Sequence, residues 1–202
     1  MFVSDLFKEK AENYDSEEWA QELSSVVGAM ITAKIPFHDQ MHVMDFGAGT
    51  GLLSATVAPM VKKITAVDIS EAMLEKLTAK AELKNKVYGL CQDIMVNPID
   101  EKFDLIMSAF AMHHVENTNK LIQSFATHLQ RGALIALVDV DTEDGSFHSD
   151  DNLGVFHWGF DRDDLKTILE MYSFENIDFK TAHHFDWQGR KYSAFLVTAS
   201  KV

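Results

Sequence analysis

The stretch Val43-Met44-Asp45-Phe46-Gly47-Ala48-Gly49-Thr50-Gly51 constrains this chain more than any other. An apolar run that empties into alternate glycines reads as a buried strand followed by a tight loop. Glycine alone turns so sharply and lets a ligand approach with no Cβ in the way. The next helix starts at Gly51-Leu52-Leu53, so whatever the loop cradles lies over a helix N-terminus. The pattern is G-x-G-x-G. A dinucleotide fingerprint, G-x-G-x-x-G, needs its third glycine where this chain has Leu52, which weakens a nicotinamide reading at its own motif.

Strand and helix patterns then alternate. Ile64-Thr65-Ala66-Val67 reads as a second buried strand closed by Asp68, which lies 23 residues after Asp45. That is close to the roughly 20 residues at which a βαβ unit presents a carboxylate to a ribose diol. Ser70 is suited to cap a helix carrying Met73, Leu74 and Leu77, and a third strand, Lys86 to Cys91, is followed by Asp93. Phe103 to Ser108 reads as a fourth strand, followed by the loop Ala109-Phe110-Ala111-Met112-His113-His114. A helix with Leu121, Ile122, Phe125 and Leu129 leads through an Arg131-Gly132 turn into a fifth strand, Ala133 to Val138, apolar throughout and so covered on both faces. Such alternation is the signature of an α/β, doubly wound, mostly parallel sheet.

The rhythm breaks at Asp139, where a long loop rich in Asp, Gly, Ser and aromatics runs to Phe160. Asp161 is placed to cap a helix with Leu165, Ile168, Leu169 and Tyr172. Ile177 to His184 and Tyr192 to Ala199 then read as strands whose short connection, Asp186 to Arg190, permits only an antiparallel pair. The expected sheet has seven strands, six parallel and the last antiparallel, with the last inserted beside the fifth. Ahead of the first strand, Asp15 followed by Glu18 predicts a capping box opening an amphipathic helix through Trp19, Leu23, Val27 and Ile31. Residues 1–35 are expected to form a helical lid on a single domain spanning residues 1–202.

Composition excludes some functions. The 31 acidic residues outweigh 18 basic ones for a formal net charge of -13, so the surface repels phosphate backbones and argues against a nucleic-acid substrate. A single cysteine, Cys91, rules out an internal disulfide and fits a reducing compartment. Charged residues among the first ten break any signal-peptide core, and no apolar run reaches the length of a membrane span. A cytoplasmic protein acting on a small molecule, with no membrane partner, is the expectation.

These residues together make the chain resemble a class I S-adenosylmethionine-dependent methyltransferase over nearly its whole length. Acids at strand ends, Asp45 among them, the G-x-G-x-G loop and a final antiparallel hairpin carry the likeness. Phe7-x-x-Lys10-Ala11-x-x-Tyr14-Asp15 is similar to the N-terminal lid of a subgroup acting on small molecules. Glu143-Asp144-Gly145-Ser146-Phe147-His148 and His157-Trp158-Gly159-Phe160-Asp161-Arg162 resemble stretches of the same subgroup. The resemblance implies S-adenosylmethionine as cofactor and S-adenosylhomocysteine as its product. Gly47, Ala48 and Gly49 would pass along its methionine part, and Asp68 would hold the ribose hydroxyls. Asp93 would accept the adenine amino group, with the Ile94 amide near the ring and Ile69 and Met73 flanking it. The implied set also takes in Lys10 and Tyr14 from the lid, Phe46, Thr50 and Gly51 beside the loop, and Ser108, Ala109 and His113 after the fourth strand.

His113, His148 and His157 are the candidate catalytic groups, since histidine titrates near neutral pH. With Tyr14 and Trp158 they are expected to converge above the C-terminal ends of the strands as an acceptor pocket. Their spacing matches no metal motif. Two competing functions keep parts of the pattern: a Rossmann-type NAD-dependent oxidoreductase, which must explain Leu52, and an S-adenosylmethionine-binding module without catalysis, which discards the histidines.

Overall fold

The computed structural model describes residues 7–8, 10–147, 154–187 and 189–202. Seven strands, β1 (His42–Phe46), β2 (Lys63–Asp68), β3 (Val87–Cys91), β4 (Phe103–Ala109), β5 (Leu129–Val140), β6 (Phe174–Trp187) and β7 (Arg190–Lys201), form one sheet. Their order is β3-β2-β1-β4-β5-β7-β6. The first five pair in parallel, and β7 runs antiparallel to both β5 and β6. The last strand is therefore inserted beside the fifth, as expected. The helices bounded within the described residues are α1 (Glu18–Lys34), α2 (Leu52–Val57), α3 (Glu71–Ala79), α4 (Thr118–His128) and α5 (Arg162–Met171).

The unbroken apolar runs follow from burial on both faces. Successive strand residues point to opposite sides, so Val43 and Leu105 face one core while Met44 and Ile106 face the other. On the first side Val27 and Ile31 of α1, Val57 of α2 and Leu77 of α3 close over the sheet. On the second, Leu121 and Phe125 of α4 and Leu165 and Leu169 of α5 do so. Side chains at the helix starts satisfy orphan amides: Ser70 Oγ accepts from Met73 N at 3.4 Å, Asn117 Oδ1 from Lys120 N at 2.9 Å, and Asp161 Oδ1 from Asp163 N at 2.9 Å and Asp164 N at 3.1 Å.

Several boundaries differ from the sequence expectation. The Asp15–Glu18 capping box is not formed: α1 starts at Glu18 behind Glu17 with no side-chain cap, and Tyr14–Ser16 is a separate 3-10 turn. Asp15 is spoken for elsewhere, as described below. Arg131 and Gly132 lie inside β5, where a register shift against β4 between Phe103 and Leu105 absorbs Gly132 at φ +84°. β5 also continues two residues past Val138, so Asp139 belongs to the sheet. No helix among the described residues is long and apolar enough to cross a membrane.

Phe125 is fully buried, its ring 5.1 Å from that of Phe46. Phe125→Ala is expected to cost about 3–5 kcal/mol in urea unfolding, whereas Val96→Ala, at a site 68% exposed, should stay within about 0.5 kcal/mol.

Candidate active site

β2 and β4 lie on opposite sides of β1, so the loops leaving their C-terminal ends part there and open a crevice. A cavity of about 1340 Å³ occupies it. Its wall draws on the strand ends, with Phe46, Gly47 and Gly49 after β1, Asp68, Ile69 and Met73 after β2, Asp93 after β3, and Ala109 to Ala111 and His113 after β4. Lys10 and Tyr14 from the N-terminal segment, Leu23 of α1, Phe147 after β5 and Phe185 of β6 line it as well.

The glycine loop is held by its own amides. Gly47 N and Ala48 N both donate to the Val67 carbonyl, at 2.8 and 3.1 Å, and Gly49 N donates to Asp68 Oδ2 at 2.8 Å. Gly47 sits at φ +66°, and a Cβ placed on it would come within 2.2 Å of the Ala111 Cβ. Only glycine fits a backbone pressed so closely on the segment after β4. Asp68 Oδ1 accepts from Ser70 N at 2.8 Å, which fixes the carboxylate at the crevice. Burial raises its pKa, against those amide bonds, which lower it. Asp93 Oδ1 accepts from Met95 N at 2.8 Å, and so is likewise oriented by its own turn.

The structure separates the expected cofactor residues into two groups. Lys10, Tyr14, Phe46, Gly47, Gly49, Asp68, Ile69, Met73, Asp93, Ala109 and His113 line the cavity. Asp45, Ala48, Thr50, Gly51, Ile94 and Ser108 do not, and each has a physical reason. Ala48 packs against the first core. Asp45 points under the loop, where it accepts from Ser54 Oγ at 2.6 Å. Gly51 is packed against Leu77, and the Ile94 side chain is buried in the second core. Ser108 Oγ donates to the Phe46 carbonyl at 2.9 Å. Thr50 Oγ1 donates to Asp15 Oδ1 at 2.5 Å, and Asp15 Oδ2 also pairs with Lys80 Nζ at 2.7 Å. That clasp ties the N-terminal segment to the glycine loop, and it places the half-buried Tyr14 hydroxyl near Asp15 and Asp68. Burial first, then those two carboxylates, raise its pKa.

The expected acceptor pocket is partly dismantled. His113 is buried in the cavity wall, but His157 lies outside that cavity with Nε2 2.9 Å from the Val115 carbonyl and 3.2 Å from Thr118 Oγ1. Trp158 is 55% exposed and lies against Gly145, and His148 falls outside the described residues. Among the described residues no group of three or more His, Cys, Asp or Glu side chains is placed to hold a metal ion.

Sequence reasoning missed Asp139. Its fully buried carboxylate lies 2.7 Å from His113 Nδ1 through Oδ1, while Oδ2 accepts from His113 N at 3.2 Å. Oδ1 also accepts from Val140 N at 2.8 Å. Three donors on one buried carboxylate fix the His113 ring and favour its Nδ1–H tautomer. The available signal was an aspartate ending an otherwise wholly apolar strand pattern.

Asp45 keeps its proton to about 7 against an ordinary 3.8, chiefly through burial and secondarily through Asp68, with the Ser54 bond acting the other way. A folded-state pKa above the unfolded one means that this group's contribution to stability is complete below about pH 4. It declines as the pH climbs through the folded value near 7. The urea midpoint of the wild type should therefore fall between pH 5 and pH 8. Asp45→Asn, which retains an oxygen to accept from Ser54, should flatten that fall; an unchanged slope would place the proton elsewhere.

Comparison with known proteins agrees with this architecture. The family described as Methyltransferase domain matches residues 43–132. An uncharacterized methyltransferase of Schizosaccharomyces pombe is 26% identical over 155 residues, 68% of this chain and 55% of that protein. A ubiquinone biosynthesis O-methyltransferase of Coxiella burnetii is 32% identical over 93 residues, 45% of this chain and 40% of that protein. The chain spans about half the length of the curated relatives it matches. Among solved structures, phosphoethanolamine N-methyltransferase 2 of Haemonchus contortus, in complex with phosphomonomethylethanolamine and S-adenosylhomocysteine, superposes with a TM-score of 0.72. It is 13% identical, with 87% of this chain and 52% of that one covered. Magnesium protoporphyrin IX methyltransferase of Synechocystis gives 0.66 at 20% identity, covering 90% and 79%. Over residues 43–132, which carry the glycine loop and the first four strands, the chain is thus similar to a methyltransferase domain, and its 3-2-1-4-5-7-6 sheet shares the fold of the solved methyltransferases.

Proposed function

We propose that the chain transfers a methyl group from S-adenosylmethionine to a small molecule in the cytoplasm, with the reaction centre in the crevice above β1 and β4. One observation carries this reading: Asp68 stands at the end of β2 with its carboxylate fixed by Gly49 N and Ser70 N, beside the apolar Ile69 and Met73 and facing the same cavity as Asp93. A carboxylate for a ribose diol, apolar side chains for a purine face and a second carboxylate for an exocyclic amine fit an adenosine. The glycine backbone and Tyr14 fit the amino-acid end of the cofactor. When bound, the sulfonium supplies an already activated methyl group.

The protein's own part is alignment and the handling of a proton. Holding a nucleophile in line is worth roughly 7–11 kcal/mol, against roughly 10²–10⁴ in rate for a general base. His113 takes the role of base on this reading. Asp139 accepts from its Nδ1 and fixes the ring, and Nε2 is the atom that takes the proton of an acceptor hydroxyl or amine on this reading. Asp139 is a positioning residue, acting through His113. The segment bearing Lys10 and Tyr14 serves as the lid. The acidic net charge of -13 supports a small-molecule acceptor over a nucleic acid.

Calorimetry tests the cofactor. S-adenosylmethionine and S-adenosylhomocysteine should bind and NAD should not at comparable concentration, and Asp68→Ala should weaken binding at least tenfold, the size expected when a charged hydrogen-bonding group is lost. An unchanged dissociation constant removes the assignment.

The base is tested separately, once turnover of any acceptor is measured. His113→Ala should lower kcat by roughly 10²-fold or more with cofactor affinity retained. Asp139→Asn should shift the acidic limb of the kcat pH profile. A uniform loss with no shift of that limb would mark Asp139 as structural only.

A further inference from the structure

Three phenylalanines from three separate elements meet at the cavity, and each is presented by a device of its own. Phe110 follows β4 at φ +54°. A bulky side chain rarely takes this left-handed backbone, which persists only where surrounding structure enforces it. Its amide is pinned to the Val138 carbonyl at 2.9 Å. Phe147 ends a loop wound about Glu143, whose Oε2 accepts from both Ser146 N at 2.8 Å and Phe147 N at 3.1 Å. Gly145 at φ +85° leaves that loop flat against Trp158, where a Cβ would come within 3.0 Å of the indole. Ser146 Oγ is 2.7 Å from the Tyr192 hydroxyl, which joins the loop to β7. Phe185 arrives from β6, in the part of the β6–β7 hairpin that extends beyond the last pair of β5 with β7, Val140 with Ala194.

The rings form one array. Phe185 is central, 6.0 Å from Phe110 at 80° and 5.5 Å from Phe147 at 62°. Phe110 and Phe185 pack on one side against the first core, and all three rings line the cavity and stay partly exposed there. Apolar ring surface left open to a cavity in this way marks a binding surface. The cavity, at about 1340 Å³, exceeds the ~300–1,000 Å³ of an ordinary single-ligand pocket, so it holds space for an acceptor beside a cofactor. The steep interplanar angles are those in which one ring's edge meets another's face, an arrangement that a further aromatic ring extends with a quadrupole interaction beyond the area burial that an aliphatic chain also gains. Charge selects further. Apart from Asp68 and Asp93, which the cofactor takes on the methyl-transfer reading, the lining carboxylates Glu22, Glu116 and Asp186 still outnumber the two lining lysines, Lys10 and Lys120, which disfavours an anion.

We propose that Phe110, Phe147 and Phe185 form an aromatic clamp that selects as acceptor a planar aromatic ring bearing no negative charge. The proposal rests on the methyl-transfer reading for what happens to that ring, but the clamp itself is a binding site and is tested as one. The motif around Glu143 thereby gains a function: it is a scaffold for one specificity-determining ring.

The test is titration of 2-naphthol, as a neutral aromatic probe, into both the free protein and the protein saturated with S-adenosylhomocysteine. 1-Octanol and 2-naphthoate serve as aliphatic and anionic comparisons. The expected result is saturable binding of 2-naphthol, at least tenfold tighter than either comparison. Phe185→Leu and Phe147→Leu, which keep apolar bulk, should each weaken it fivefold or more while the S-adenosylhomocysteine dissociation constant stays within twofold. Absence of naphthol binding to either form would overturn the clamp. So would equal affinity for octanol, or Leu variants that bind naphthol as the wild type does. Failure of S-adenosylhomocysteine to bind would strike the methyl-transfer reading alone, because the naphthol titration of the free protein decides the clamp independently.

Discussion

The contact between Gly47 and Ala111 is the constraint on which the crevice depends. Two segments that leave adjacent parallel strands normally diverge, yet here the loop after β1 and the turn after β4 touch across the space that a side chain at position 47 would fill. Their approach gives the cavity a continuous floor, with Gly47 and Gly49 on one side and Ala109 to His113 on the other. It also locks two sequence-distant devices into one frame. The glycine loop is drawn to β2 by the Val67 carbonyl, and the segment after β4 is drawn to β5 by the Val138 carbonyl and Asp139.

Four aspartates near strand ends do four different things, and burial with hydrogen-bond partners decides which. Asp45 is buried with a hydroxyl for a partner and holds its proton. Asp68 receives two amides and faces the cavity. Asp139 is buried with three donors, one of them an imidazole. Asp141, two residues on, takes both Arg162 Nε at 2.7 Å and Nη2 at 2.8 Å and also Ser193 Oγ at 2.6 Å, bracing the start of α5 against β7. A bidentate guanidinium makes that last site a strut.

The sheet was legible because its signals are local. Apolar runs closed by acids, glycines at alternate positions and the capping residues Ser70 and Asp161 each act within a few residues, and these are found where their patterns put them. The cavity wall was legible as far as it follows from strand ends, which place Asp68, Asp93 and His113 correctly. What remained hidden involves partners far apart in sequence. The link between Asp139 and His113 spans 26 residues, and that between Asp15 and Thr50 spans 35. Asp15 and Glu18 carry the capping pattern, but a threonine and a lysine elsewhere outcompete the helix for the carboxylate. His157 misled for a related reason: it lies in the loop after β5, but its ring is occupied by the Val115 carbonyl on the far side of the 112–114 turn.

The Asp15 clasp makes one side chain answerable for three segments. Its carboxylate is shared between the buried Thr50 hydroxyl and the Lys80 ammonium, so it ties the stretch that carries Lys10 and Tyr14 both to the glycine loop and to the residue that ends α3. A change at this single position would be felt at the cavity wall, at the loop after β1 and at the helix after β2 together, although no two of them are neighbours in the sequence.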